Sequence, residues 1–79
     1  MQVEVRLYAT LRELAPADAN AGVFLLTLPE KATLGFLLTA IGIEAKKVHM
    51  RIVNGIMSSD EQILKENDRI GLFPPVGGG

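Results

Sequence analysis

The sequence contains no cysteine, which excludes disulfides, thiolate metal ligands and a cysteine nucleophile, and which suits a reducing compartment. It has a single histidine, His49. With no second histidine or cysteine to share a metal, His49 reads as an ordinary loop or strand-end residue. Charge of one sign is lacking too: eight Lys and Arg against nine Asp and Glu give a net charge of -1. No general positive field exists to hold a phosphate backbone, so nucleic acid is not an expected partner. No apolar run approaches the roughly 20 residues needed to span a bilayer, and the start Met1-Gln2-Val3-Glu4 lacks a basic-then-apolar signal pattern. A soluble, cytoplasmic chain without a membrane partner is expected. There is no internal repeat, no domain linker, and no G-x-x-x-x-G-K-[ST] loop to hold ATP.

What is present is a chain of 79 residues, 48% of them apolar. At roughly 100–200 residues per domain this is one domain, near the lower limit at which a hydrophobic core alone carries a fold. Val3, Val5 and Leu7 alternate with Glu4, Arg6 and Tyr8, the period-2 pattern of a strand with one buried face. Thr10 to Leu14 reads as a short helical turn ended by Pro16, and Asp18 to Gly22 carries loop formers. Val23 to Leu28, closed by Pro29, reads as a second strand that forms a hairpin with the first. Leu34, Leu37, Leu38 and Ile41 fall on one stripe of a helix, with Thr33 placed to cap its start and Gly42 its end. Met50 to Val53 reads as a short strand, Asn54-Gly55 as a reversal in which both residues tolerate positive φ, Ser58 to Lys65 as a polar stretch, and Arg69 to Phe73 as the last strand.

Strand, strand, helix, short strand, strand predicts an α+β domain, a β-grasp over residues 1–75 in which one main helix packs on one face of a mixed sheet. The long crossover through the helix lets the first and last strands pair in parallel. The chain would then leave the domain from a central strand. Within this frame Lys46, Lys47 and Arg51 read as a small solvated basic patch, and Asp68 as support for the turn into the last strand.

The informative segment is the ending, Leu72-Phe73-Pro74-Pro75-Val76-Gly77-Gly78-Gly79. Pro74 and Pro75 restrict φ and favour an extended backbone, so residues 76–79 are expected to form a flexible tail that projects outward. Six residues at about 3.3–3.6 Å each reach roughly 20 Å, enough to enter a buried site on another protein. Glycine has no Cβ, so Gly77 to Gly79 can pass through a slot that excludes other residues. A glycine-rich end alone favours a frayed terminus over a functional tail. The prolines and the strand before them favour the delivered tail.

The segment Asp68-Arg69-Ile70-Gly71-Leu72-Phe73-Pro74-Pro75-Val76-Gly77-Gly78-Gly79 resembles the ending of the MoaD/ThiS family of ubiquitin-like sulfur carriers, and among them the MoaD type, the small subunit of molybdopterin synthase. The resemblance extends to Leu7-Tyr8-Ala9-Thr10-Leu11-Arg12-Glu13-Leu14 and to Val53-Asn54-Gly55 with Asp60. It implies that Gly78 and Gly79 are the functional pair. The Gly79 carboxylate would be adenylated by an adenylating enzyme of the ubiquitin-activating type, then converted to a thiocarboxylate. It further implies that the chain binds no cofactor itself, that ATP is used by the activating partner, and that the large subunit of molybdopterin synthase is a second partner. Such a chain is a monomer when free and no catalyst alone. The chemistry is coherent: a carboxylate is a poor electrophile that needs prior activation, and a thiocarboxylate held in a partner's pocket gains rate by proximity.

Alternation points Tyr8 and Phe73 away from the core, side by side. Met57 corresponds by resemblance to a third apolar residue of the surface that binds the partner, with Pro74, Pro75, Val76 and Gly77 continuing it towards the reacting end. Exposed apolar patches on small domains mark interfaces. Two departures from the family pattern stand out. Phe36 sits opposite the helix stripe, either exposed or covered by the Asp18 to Gly22 loop. Asn67-Asp68 replaces Gly-Asp, a mild change because asparagine tolerates the left-handed region. Three further functions share the tail: sulfur transfer for thiamine thiazole synthesis, joining of Gly79 to a lysine as a protein modifier, and an interaction domain with an inert end. The Phe73-Pro74-Pro75-Val76 ending favours the molybdopterin role.

Overall fold

The computed structural model describes residues 1–75. Alternation in β1 (Gln2–Leu7) buries Val3, Val5 and Leu7 and turns Glu4 and Arg6 to the other face. β2 (Val23–Thr27) pairs antiparallel with it, from Gln2 opposite Thr27 to Arg6 opposite Val23. The hairpin connection is packed against the domain: Leu11, in the 3₁₀ segment Ala9–Leu14, is buried, and the Leu7 amide donates to the Gly22 carbonyl at 2.9 Å.

α1 (Leu34–Ile41) buries Leu34, Leu37 and Leu38 against the sheet, with Ile41 half-buried at its end. The expected caps are both there. Thr33 Oγ1 accepts from the Phe36 amide at 3.1 Å, and Gly42 takes φ 91°, ψ 27° with its amide donating to the Leu38 carbonyl. A helix of eight residues is too short to persist by propensity alone. The segment read as a polar stretch supplies the missing support: the carbonyls of Gln62 and Asp60 accept from the amides of Leu34 and Gly35, each at 2.9 Å. Together with Thr33 they satisfy three of the donors that a helix start leaves open. Leu64, within the same stretch, is part of the core.

A second 3₁₀ turn (Ala45–Lys47) leads into β3 (Met50–Val53). Asn54 and Gly55 both have positive φ, 52° and 83°. A two-residue turn of this kind matches strand twist, and it returns the chain as β4 (Ile56–Met57), antiparallel to β3. At two residues β4 is too short to show a pattern, so the sequence marks its turn and not the strand. β5 (Arg69–Phe73) pairs parallel with β1 and antiparallel with β3, giving the sheet order β2-β1-β5-β3-β4. The chain therefore runs into Pro74 from the central strand, as the sequence predicts. This is a ubiquitin-like β-grasp. Among the described residues no helix is long and apolar enough to cross a membrane.

Candidate functional site

The helix covers one sheet face, and register decides what lies on the other. Leu7 opposes Leu72, both buried. One residue further, the Tyr8 amide still donates to the Leu72 carbonyl at 3.2 Å, and the Tyr8 backbone is extended (φ −112°, ψ 154°). Tyr8 is thus carried next to Phe73. Their rings stack with centroids 4.2 Å apart and planes within 2°. Each ring shields a face of the other, so both residues are half-buried and not fully exposed. Such pairs contribute about 0.5–1.5 kcal/mol beyond area burial.

Met57 shares this outer face and is 70% exposed. It lies opposite Ile52, which lies opposite Gly71, which in turn opposes Arg6. Met50 lies opposite Phe73. The predicted trio of Tyr8, Phe73 and Met57 is therefore joined by Ile52 and Met50, both half-buried. The sequence pattern places those two in a strand and gives them no role. The signal was available in principle: once Val53 is inward, alternation turns Ile52 outward.

Pro74 and Pro75 follow directly from this patch. They line one concavity with Ala9, Thr10, His49 and Met50, and another with Leu14, Lys46 and Lys47. The two 3₁₀ segments therefore flank the point where the chain leaves the sheet. The His49 amide donates to the Phe73 carbonyl at 2.7 Å and secures the end of β5. Val76, Gly77, Gly78 and Gly79 lie outside the described residues.

Two side-chain clusters hold the frame. Asp68 is buried and accepts from the Lys65 amide at 2.7 Å and from Asn54 Nδ2 at 2.8 Å, which bears out its expected role in the turn. Asn67 takes φ 67°, the left-handed conformation that its replacement of glycine requires. Arg51 differs from expectation. Lys46 and Lys47 are exposed and pair with Glu44 at 3.6 and 3.7 Å. Arg51, opposite the buried Leu72, instead bonds Asp60 and the carbonyls of Val48 and Ala45. It is an internal strut and no part of a basic surface, because its strand position faces the core side. The Phe36 alternative is settled as well: its side chain is 48% exposed.

On the outer face Arg6 Nε donates to Glu4 at 2.6 Å. Glu4, and after it Tyr8, raise the Arg6 pKa above the ordinary guanidinium value. The bond to Glu4 keeps Arg6 on the face that carries the aromatic pair.

A mixed five-stranded sheet, one helix on its inner face and an apolar patch where the central strand ends define the domain as a ubiquitin-like β-grasp. Comparison with known proteins agrees. The model of the ThiS family matches residues 5–79. The chain belongs to the ThiS family and has the ubiquitin-like sulfur-carrier fold of the ThiS and MoaD type. A Pyrococcus furiosus protein named as a molybdopterin converting factor, subunit 1, is 29% identical with a TM-score of 0.73, over 95% of this chain and 98% of that one. The Helicobacter pylori complex of subunits 1 and 2 of molybdopterin-converting factor contains a chain 26% identical, TM-score 0.65, covering 100% of both. SAMP1 from Haloferax volcanii, 24% identical with a TM-score of 0.76 over 100% of both chains, shares the fold. No curated protein sequence matches the chain.

Proposed function

We propose that this chain is a cytoplasmic sulfur carrier, monomeric when free, with residues 1–75 as the docking domain and 76–79 as the reacting tail. In this reading a ubiquitin-activating-type enzyme uses ATP to adenylate the Gly79 carboxylate. Hydrosulfide supplied by a donor then attacks the acyl carbon and displaces AMP, the carbon–oxygen bond to AMP breaking as a carbon–sulfur bond forms. The thiocarboxylate delivers sulfur in molybdopterin synthesis, Gly79 returning to a carboxylate. The observation that carries the reading is the geometry at Phe73. The central strand ends there, on an apolar face, and passes through Pro74 and Pro75 into Gly77-Gly78-Gly79. A partner that docks on Tyr8, Phe73 and Met57 lies beside Pro74 and Pro75, and six residues from Pro74 onward can reach roughly 20 Å. The assembly of subunits 1 and 2 in the Helicobacter pylori relative supports the large subunit of molybdopterin synthase as the receiving partner.

The carrier binds and presents, and the partners catalyse. Gly78 and Gly79 bring no Cβ into the active site, and a carboxylate held beside the nucleotide gains effective concentration. The test is to incubate the chain with adenylating enzyme, ATP and a sulfur donor and to follow replacement of one oxygen by sulfur in the intact mass. The charged chain is then mixed with the large subunit and a molybdopterin precursor. Loss of that sulfur with product formation supports the reading. Transfer only to a thiazole precursor, or lysine conjugates ending at Gly79, would move it to another pathway.

A further inference from the structure

The outer face carries more chemistry than its apolar residues. β5 presents Arg69, Gly71 and Phe73 to it in succession, and the middle one has no side chain. A Cβ built at Gly71 would stand 3.5 Å from the Tyr8 ring, 3.6 Å from the Phe73 ring and 3.8 Å from Ile52. These are ordinary packing distances, so the missing side chain leaves a hollow that is walled but not filled. The concavity measures about 370 Å³, and Tyr8, Ile52 and Phe73 form its apolar side. That is near the low end of small-molecule pockets, roughly 300–1,000 Å³, but it is open and suits an inserted side chain better than an enclosed ligand.

The opposite rim is charged. Arg6 and Arg69 both border the hollow, and Glu4 stands directly opposite Arg69 in register. Glu4 is nevertheless bonded to Arg6. Arg69 is left exposed and makes no ion pair among the described residues. An exposed cation beside an apolar hollow complements a particular arrangement: an apolar side chain with a carboxylate close by.

We infer that the protein docking on this face seats an apolar side chain in the Gly71 hollow, between Tyr8, Phe73 and Ile52, and places a carboxylate of the same segment against Arg69. This inference rests on the docking role proposed for Tyr8 and Phe73 and names what the partner brings to it. The apolar side chain, desolvated at the centre of the patch, supplies affinity. The rim pair supplies register and association rate, and weakens with salt.

The experiment measures binding of the purified adenylating enzyme from the same organism, by calorimetry at low and high salt. The chain is compared with Arg69→Gln, Arg69→Glu, Gly71→Ala, Gly71→Leu and Phe73→Ala. Gly71 lies in a strand without positive φ, and an alanine Cβ fits, so Gly71→Ala keeps the fold even if Gly71→Leu does not. Melting curves verify each variant. Arg69→Glu is expected to weaken binding about tenfold or more, since like charges brought together cost several kcal/mol and 1.4 kcal/mol is tenfold. Arg69→Gln should flatten the salt dependence, and filling the hollow should weaken binding from alanine to leucine. If Phe73→Ala weakens binding while the folded Arg69 and Gly71 variants bind like the parent, the inference is overturned and the docking face stands. If Phe73→Ala also binds like the parent, or the parent does not bind, the docking role fails and the inference with it.

Discussion

Asn54, in the turn after β3, is clasped to Asp68, the residue that precedes β5. Asn54 Nδ2 donates to Asp68 Oδ1 at 2.8 Å, while Asn54 Oδ1 accepts from the Arg69 amide at 2.9 Å. The other Asp68 oxygen takes the Lys65 amide at 2.7 Å. One asparagine and one buried carboxylate thus fix where β5 begins, and with it the position of Arg69, Gly71 and Phe73 on the outer face. Asp68→Ala leaves the Lys65 amide and Asn54 Nδ2 without their acceptor, each worth about 1–3 kcal/mol where it stays out of water. A loss of about 1–3 kcal/mol in urea unfolding is expected, and smaller loss in Asp68→Asn, which keeps an acceptor. Unchanged stability in Asp68→Ala would show that the clasp contributes nothing.

Leu38 and Phe36 stand two residues apart on α1 and are expected to respond in opposite ways. Leu38 is 2% exposed, so Leu38→Ala should cost about 2–5 kcal/mol. Phe36→Ser, at a position already exposed, should stay within about 0.5 kcal/mol. Denaturant midpoints of the two variants decide it.

Arg51 should tolerate no simple substitution. Its planar fork serves Asp60 and two carbonyls of the turn before β3 at once. Arg51→Ala is expected to cost about 1–3 kcal/mol, and Arg51→Lys to recover only part, because an ammonium cannot reproduce the fork. Paired urea titrations of Arg51→Ala and Arg51→Lys against the parent measure both effects.

Docking and chemistry should separate. Phe73→Ala is expected to weaken partner binding by about 1 kcal/mol or more, as loss of an aromatic anchor does, with the terminal carboxylate untouched. Raising the partner concentration should then restore sulfur uptake.

Deleting Gly79 should do the reverse. Fold and docking are expected to persist while sulfur uptake is lost, because the remaining carboxylate stops about 3.5 Å short of the reacting centre. Uptake at the parent rate, read from intact mass, would refute the terminal-carboxylate mechanism.

Much of this molecule is determined by local sequence alone. Strand alternation in Val3-Glu4-Val5-Arg6-Leu7, the Thr33 and Gly42 caps and the positive φ at Asn54 and Gly55 depend on neighbours within a few residues, so their physics can be read along the chain. The outward direction of Tyr8 and Phe73 follows from the same alternation. Only tertiary structure decided what those residues meet. The ring stack requires β1 and β5 to run in parallel at one register. Ile52 and Met50 join the outer face because β3 pairs with β5. Leu64 enters the core, and Gln62 and Asp60 cap α1, because the segment after β4 passes back over the start of the helix. Arg51 turned from surface charge to internal strut for the same kind of reason: its acceptors lie three to nine residues away and converge only when the sheet and the 3₁₀ turn are in place. A hollow is the most collective feature of all. Gly71 alone predicts an absence of side chain, and residues of β1 and its extension, of β3 and of β5 itself are needed to wall it.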